Sequence, residues 1–127
     1  MAKGFLQFAA EQKTFEIGGT KVGGCPGVRP TVLVGTVFYH GHKVLLDDGA
    51  GGFDAEAAER VIRGQDEWSQ KTGNPCMLDV VGDSPEAMCK HLEFAARVSQ
   101  APLLIDGTTT DVRLAGREVK YLHLVRG

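Results

Sequence analysis

The chain has 127 residues, 43% of them hydrophobic, and its 14 Lys and Arg against 16 Asp and Glu give a net charge of −2. This length suits one domain with its own core, and the hydrophobic fraction excludes a disordered chain. The balanced charge argues against nucleic-acid binding, which requires a basic face. The chain has no apolar run approaching the about 18 residues of a membrane span and no apolar signal-peptide core, which favours a cytoplasmic protein.

The cysteines are an odd number, at Cys25, Cys76 and Cys89, and no two of them form a C-x-x-C pair. Such spacing provides neither a disulfide framework nor a zinc knuckle. We therefore expect three free thiols, with Cys76 buried in a strand.

The first predicted element is a β-hairpin over residues 13–23, where alternating polar and apolar residues flank the turn Gly18-Gly19. After a series of Gly and Pro residues, the apolar, β-branched segment 31–38 predicts a strand buried on both faces. A polar loop follows at 39–52. Most of the glycines, 11 of 17, lie in the first 52 residues, in or near these turns and loops.

The first predicted helix begins after Asp54, a candidate N-cap, and ends at Gly73. Helical spacing places four apolar residues on one stripe, and we expect that stripe to pack in the core: Ala58, Val61, Ile62 and Trp68. A large indole on such a stripe favours packing over ligand contact for Trp68.

The second half of the chain repeats the pattern of strand followed by helix. Segment 75–81 predicts a buried strand, and Ser84-Pro85-Glu86 provides a cap, a first-position proline and an acid for a helix start. The predicted apolar face of that helix consists of Met88, Leu92, Ala95 and Val98. Segment 102–106 predicts a third short strand, and Thr109 or Thr110 caps a third helix.

The predicted fold class is therefore α/β, with a hairpin followed by the order β-α-β-α-β-α. Repeated β-α units with apolar strands indicate a parallel sheet with right-handed crossovers. Both a doubly wound open sheet and part of a (β/α)8 barrel fit this pattern.

Polar residues at predicted strand ends are the candidate site, because both architectures gather functional groups there. Asp79 interrupts an apolar strand, and Asp106 ends the next one, before Gly107 and Thr108. Two such acids could accept hydrogen bonds from ring N–H and amine donors or relay a proton. The alternatives are a structural acid at Asp79, which caps a helix or pairs with a base, and ordinary turn chemistry at Asp106.

His40 and His42 form an H-x-H pair like those of metal-dependent barrels, and Lys43 follows them. A metal-dependent hydrolase is therefore a weaker alternative. A solvated loop is the simpler interpretation, since no third ligand has suitable spacing. The glycine pairs do not form a nucleotide-binding fingerprint.

Dense motifs over residues 13–116 are very similar to one family, the H subunit of tetrahydromethanopterin S-methyltransferase. The motifs are Phe15-Glu16-Ile17-Gly18-Gly19, Gly23-Gly24-Cys25-Pro26-Gly27, Pro30-Thr31-Val32-Leu33-Val34-Gly35-Thr36, Phe38-Tyr39, Gly41-His42-Lys43, Thr72-Gly73-Asn74-Pro75, Asp79-Val80-Val81-Gly82, Ser84-Pro85-Glu86-Ala87, Asp106 and Val112-Arg113-Leu114-Ala115-Gly116.

The resemblance implies a pterin-binding (β/α)8 barrel that moves a methyl group between N5 of a tetrahydropterin and the cobalt of a corrinoid on a partner protein. In the wider group, a strand-end Asp and a following D-S-T-N run help to bind the pterin. Asp79 matches the first, and Asp106-Gly107-Thr108-Thr109 matches the second, with Gly107 for Ser and Thr109 for Asn. The implied catalytic residues are Asp79 and Asp106, and the same two with Thr108 and Thr109 bind the substrate.

The family also implies a corrinoid protein and other subunits of a methyltransferase complex as partners, with a location in the cytoplasm or at the periphery of a membrane complex. We expect the cofactors to be a tetrahydropterin and the partner's corrinoid, with no metal bound by this chain.

The length differs from the family, since a (β/α)8 barrel takes about 250 residues. Residues 31–116 correspond to the first three β-α units, and 117–127 form a tail that does not follow the family's motifs. We expect an unpaired edge at the third strand of the parallel sheet and self-association through it. A non-catalytic remnant, serving only in binding or assembly, is the main alternative to an enzyme.

Overall fold

The computed structural model describes residues 8–46 and 51–126, with side chains as far as residue 119. Predictions about the N-terminal segment 1–7, loop residues 47–50 and the end of the tail lie outside this range. The elements are β1 (Thr14–Ile17), β2 (Thr20–Gly23), β3 (Leu33–Val37), α1 (Ala55–Thr72), β4 (Cys76–Gly82), α2 (Pro85–Val98), β5 (Leu103–Gly107) and α3 (Thr110–Arg126). None of the described helices has the length and apolar character to cross a membrane.

The hairpin is confirmed, with β1 and β2 antiparallel and Ile17 opposite Thr20. Gly18 and Gly19 form the turn with φ angles of +54° and +86°. Positive φ at both central residues is the turn geometry that matches strand twist, and glycine adopts it without steric cost.

The second sheet is parallel, with strand order β3-β4-β5. Its register places Thr36 beside Asp79 and Val81 beside Asp106. Each neighbouring pair of strands is connected by a helix, as parallel pairing requires. The predicted order of elements and the mixed α/β class are thus confirmed.

The core lies between this sheet and its three helices. Sheet residues such as Val37, Leu78 and Val80 face helix residues across it, while Phe38 and Val44 close its end. Its buried members are Val37, Phe38, Val44, Ala58, Ile62, Leu78, Val80, Met88, Leu92, Ala95 and Val112.

The opposite face of the sheet is open along β3, so the prediction that the first parallel strand is buried on both faces is wrong. Val34 is 53% exposed, and Thr36 is exposed beside it on β3. The reason is that the helices pack on the alternate residues of the strands, including Val37. Side chains alternate between faces along a strand, so those at Val34 and Thr36 point away from the helices.

Helix α1 has the predicted ends but not the predicted stripe. Asp54 accepts a hydrogen bond from the Ala57 N–H, and Gly73 ends the helix with φ +76°. Ala58 and Ile62 are buried, whereas Val61 is 46% and Trp68 62% exposed, so core packing of these last two is wrong.

The inner face of the second half of α1 consists of polar side chains. The Gln65 side chain donates a hydrogen bond to the Met77 carbonyl at 2.9 Å, and a Cβ at Gly35 would collide with this side chain. The Ser69 hydroxyl donates to the Asn74 carbonyl at 2.6 Å. Trp68 lies outside these contacts, where the Lys71 ammonium is 5.3 Å from its ring centroid.

Helix α2 begins as predicted, with the Ser84 side chain accepting from the Ala87 N–H and Pro85 in the first turn. Helix α3 starts at Thr110, immediately after Thr109. The three cysteines are free, and Cys76 is buried in β4, as predicted.

Core truncation tests this packing. Ile62→Ala should lower the free energy of unfolding by about 2–5 kcal/mol, because it removes a fully buried side chain and leaves a cavity. Val61→Ala, at the adjacent exposed position, should change it by less than about 0.5 kcal/mol. Urea denaturation followed by circular dichroism measures both. Equal losses for the two variants would contradict the assignment of the inner face.

The open sheet face and the strand edges predict self-association. Within the described residues β3 and β5 are edge strands, and unpaired edges beside exposed apolar residues promote association. Val34→Lys should reduce the concentration-dependent increase in mass measured by light scattering. Val28→Lys, in the loop before β3 and 39% exposed, should not. A monodisperse wild-type monomer across the concentration range would contradict the prediction.

Candidate functional site

Three polar side chains lie on the open face of the parallel sheet. Thr36 and Asp106 are next to last in β3 and β5, whereas Asp79 is in the middle of β4 and not at the strand end that was predicted. Thr36 and Asp79 are partners in the β3–β4 register, and the Thr36 hydroxyl donates a hydrogen bond to Asp79 Oδ2 at 3.2 Å. Asp79 is paired with Leu104 of β5, and Asp106 comes two residues after Leu104. Because side chains two residues apart on a strand point the same way, the two acids share this face. Asp106 is close enough to influence the ionisation of Asp79.

The surroundings of Asp79 favour its protonated form. Burial raises the pKa of this carboxyl, and a hydrogen bond that its protonated form donates to Asp106 and the negative charge of Asp106 raise it further, while the Thr36 hydroxyl lowers it. Two carboxyl groups hydrogen-bond to each other only when one of them holds a proton. Protonated Asp79 can therefore donate to Asp106 and keeps an oxygen that accepts.

Thr108 and Thr109 lie in the exposed loop between β5 and α3. The Thr109 hydroxyl donates to the Asp111 carboxylate, which also accepts the Val112 N–H at 2.9 Å. These bonds lower the pKa of Asp111. In the described structure neither threonine is hydrogen-bonded to Asp79 or Asp106. The structure therefore brings the two acids together on the sheet face, and the two threonines lie in the neighbouring loop without contributing a hydrogen bond to either acid.

The loop after β3 contains the H-x-H pair. Phe38, the one non-glycine residue with positive φ (+66°) among those described, donates its N–H to His42 Nδ1 at 3.0 Å. The His42 ring stacks on Tyr39 with centroids 4.4 Å apart, and burial lowers the pKa of His42. His42 Nδ1 is thus occupied as an acceptor, and His40 is exposed. In residues 8–46 and 51–126 no three potential ligands are grouped to hold a metal ion.

Sequence reasoning missed His91, which is 2% exposed on α2. Its ring nitrogens lie 2.7 Å from the Val81 carbonyl and 3.0 Å from the Gly51 carbonyl. The ring also stacks on Phe38 with centroids 4.2 Å apart. His91 therefore connects the end of β4 to the loop before α1. Its place three residues after Met88, on the apolar face of the helix, was the available signal.

A cleft of about 620 Å³ opens beside His91, between the loop after β3 and the start of α2. Asp79 and Asp106 are not part of its lining, so the acids lie on the sheet face and not in this cleft. Its lining residues are Phe38, His40, Gly41, His42, Leu45, Leu46, Gly51, Gly52, Asp83, Ser84, Ala87 and His91.

Fold and site together define an α/β protein with an acid pair on the open face of a parallel sheet. The sequence model of the family described as tetrahydromethanopterin S-methyltransferase MtrH subunit matches residues 10–124. The chain belongs to this family, which confirms the resemblance. The matched range continues past Gly116, where the motifs named above end.

Curated relatives agree with this assignment. The chain is 47% identical over 113 residues to the H subunit of tetrahydromethanopterin S-methyltransferase from Methanothermobacter marburgensis, covering 89% of the chain and 36% of the relative. It is 48% identical over 105 residues to the corresponding protein of Methanopyrus kandleri, covering 83% and 33%. It is 42% identical over 120 residues to the H subunit of the putative methyltransferase mtx from Methanosarcina acetivorans, covering 94% and 39%. The chain thus spans little more than a third of these relatives' length.

The raised pKa of Asp79 predicts a pH-dependent effect of Asp79→Asn on stability. An acid with a raised folded-state pKa contributes stability below its unfolded pKa of about 3.9, and this contribution is lost as pH rises through the folded value. Asp79→Asn should therefore be more stable than wild type at pH 7, and this advantage should vanish near pH 3.5. Urea midpoints measured across that range test it.

Asp83→Asn, at the exposed position just after β4, is the matched control for the loss of one carboxyl group. It should not reproduce the pH-dependent gain. A gain for Asp79→Asn that is independent of pH, or an equal one for Asp83→Asn, would contradict the ionisation argument.

Proposed function

We propose that this chain takes part in methyl transfer between N5 of a tetrahydropterin and the cobalt of a corrinoid on a partner protein, and that Asp79 and Asp106 bind the pterin. The observation that carries the proposal is the acid pair on the open face of β4 and β5, in a chain of a methyltransferase subunit family. The names of the relatives favour tetrahydromethanopterin as the pterin.

The hydrogen-bonding groups of the site fit a pterin. The pyrimidine edge of the pterin presents ring N–H and amino donors, and carboxylates are acceptors with several lone-pair positions. The pair lies on the open face, where a flat ring has access from solvent. Thr108 and Thr109 follow Asp106 along the chain, and their hydroxyls are the proposed additional contacts to the pterin edge.

Leaving-group chemistry explains why acids are needed. The N5 amine leaves poorly when neutral, so methyl transfer needs N5 protonated or strongly hydrogen-bonded. A negatively charged pair nearby favours the cationic form of the pterin, and a carboxyl that holds a proton can donate at N5. The corrinoid supplies the attacking cobalt. The residues of this chain therefore bind and orient the pterin and control its protonation.

The open face also supports a barrel assignment. In a (β/α)8 barrel, helices cover the outside of the sheet and the strand faces turned from them line the interior. The three helices here cover one face, and Thr36, Asp79 and Asp106 are on the other. We infer that residues 31–116 correspond to the first three β-α units and that the open face is the interior of the barrel. The proposed partners are the corrinoid protein and other subunits of the complex, which places the chain in the cytoplasm or at the periphery of a membrane.

A non-catalytic remnant is the second candidate function. The exposed Val34 and the edges of β3 and β5 favour it, because such surfaces suit assembly. The two candidates differ in pterin binding, which a remnant lacks. The metal-dependent hydrolase is not favoured, because the Phe38 N–H occupies one ring nitrogen of His42.

Pterin affinity tests the proposal. Tetrahydromethanopterin should bind the wild-type chain in titration calorimetry, and Asp79→Asn or Asp106→Asn should each weaken binding about tenfold to a hundredfold. This range corresponds to the loss of a hydrogen bond to a charged group, about 1.5–3 kcal/mol. Asp83→Asn, which lines the cleft instead, should bind as wild type does. Absence of binding in the wild type would support the remnant, and a loss confined to Asp83→Asn would move the site to the cleft.

A further inference from the structure

We propose that Thr36 is a positioning residue for the acid pair: its hydroxyl donates to Oδ2 of Asp79 across the β3–β4 register and holds that carboxyl in place on the open face. This inference rests on the proposed function for its purpose, but the underlying interaction can be tested without any ligand. It assigns a task to a strand residue that the motifs of the acid pair do not include.

The geometry gives Thr36 a fixed relation to Asp79. The two residues are register partners on neighbouring strands, so the strand pairing itself holds them side by side. The hydroxyl donates to Oδ2 of Asp79 at 3.2 Å. Thr36 is β-branched, so its side chain has few rotamers and keeps its hydroxyl in place.

Asp79 therefore lies between two neighbours with opposite effects. Asp106 on β5 is the ionisable group that acts on Asp79 among the described residues, and it favours the protonated form. Thr36 on β3 is the polar group on the other side, and its O–H stabilises the charged form. Oδ2 is oriented by the hydroxyl, so the plane of the carboxyl group is fixed relative to the open face.

This balance has a consequence for ligand binding. The carboxylate form of Asp79 accepts N–H and amine donors at both oxygens and more strongly than the protonated form does, whereas Asp106 without the opposing effect of Thr36 would keep the proton on Asp79 at higher pH. The Thr36 hydroxyl therefore extends to lower pH the range in which Asp79 is a carboxylate. Loss of the hydroxyl should therefore weaken pterin binding near the pKa of Asp79 more than it weakens binding well above that pKa.

Carboxyl ¹³C NMR titration of the full chain without ligand is the first test, with the Asp79 signal assigned by its loss in Asp79→Asn. Thr36→Val and Thr36→Ala should each raise the pKa of Asp79 by about 0.5 to 1 pH unit, which corresponds to the usual net contribution of one hydrogen bond. Thr36→Ser keeps the hydroxyl and should restore the wild-type pKa. Thr31→Val, at an exposed position before β3, is the matched control and should leave it unchanged.

The variants separate the hydroxyl from simple packing. If the pKa of Asp79 rises in Thr36→Val but not in Thr36→Ala, the added apolar surface is the cause. If it is unchanged in both variants, the Thr36 hydroxyl does not interact with Asp79. Either result overturns the proposal, as does failure of Thr36→Ser to restore the pKa.

Tetrahydromethanopterin binding is the second test and keeps the two proposals distinct. If wild type binds, Thr36→Val should lose affinity mainly at low pH, with recovery in Thr36→Ser. A loss of equal size at every pH would overturn the role in binding. If wild type does not bind while the NMR shifts occur, the proposed function fails and the interaction of Thr36 with Asp79 stands.

Discussion

One-sided packing is the constraint on which the rest of this structure depends. When strands follow one another in a parallel sheet in the order β3-β4-β5, right-handed crossovers place each connecting helix on the same face. All apolar strand residues turned toward that face, such as Val37 and Val80, then join one core with the helices. The other face keeps Thr36, Asp79 and Asp106 free of a helical cover, and the register places them next to one another.

The carboxyl end of the sheet is held by aromatic contacts around Phe38. This residue adopts a left-handed backbone conformation, which costs free energy for residues other than glycine. The surrounding contacts compensate for that cost. Its N–H is bonded to His42, and its ring packs against His91 and Phe53. The strand end that carries Thr36 is therefore anchored on the core side, which gives the open face a fixed geometry.

Local signals in the sequence predicted much of the fold. Asp54, Gly73 and Ser84 act through contacts within a few residues of themselves, so their caps could be located from sequence alone. Trp68 and Val34 could not be placed, because their exposure depends on which face another element covers. Gln65 illustrates the same limit. Its side chain on α1 bonds to the Met77 carbonyl in β4, and there is room for it only because Gly35 in β3 has no Cβ. The position of Asp106 near the end of its strand was predictable, whereas the central position of Asp79 in β4 and the hydrogen bond from Thr36 depend on how far β4 extends and on its register with β3.

The most direct measurement of the central claim is a carboxyl ¹³C NMR titration of the labelled wild-type chain with tetrahydromethanopterin, once the Asp signals have been assigned by their loss in the Asp→Asn variants. The account predicts that the Asp79 and Asp106 signals shift together and saturate at one dissociation constant while the Asp83 signal stays in place. Saturable shifts of the Asp83 signal, with the Asp79 and Asp106 signals unmoved, would contradict it.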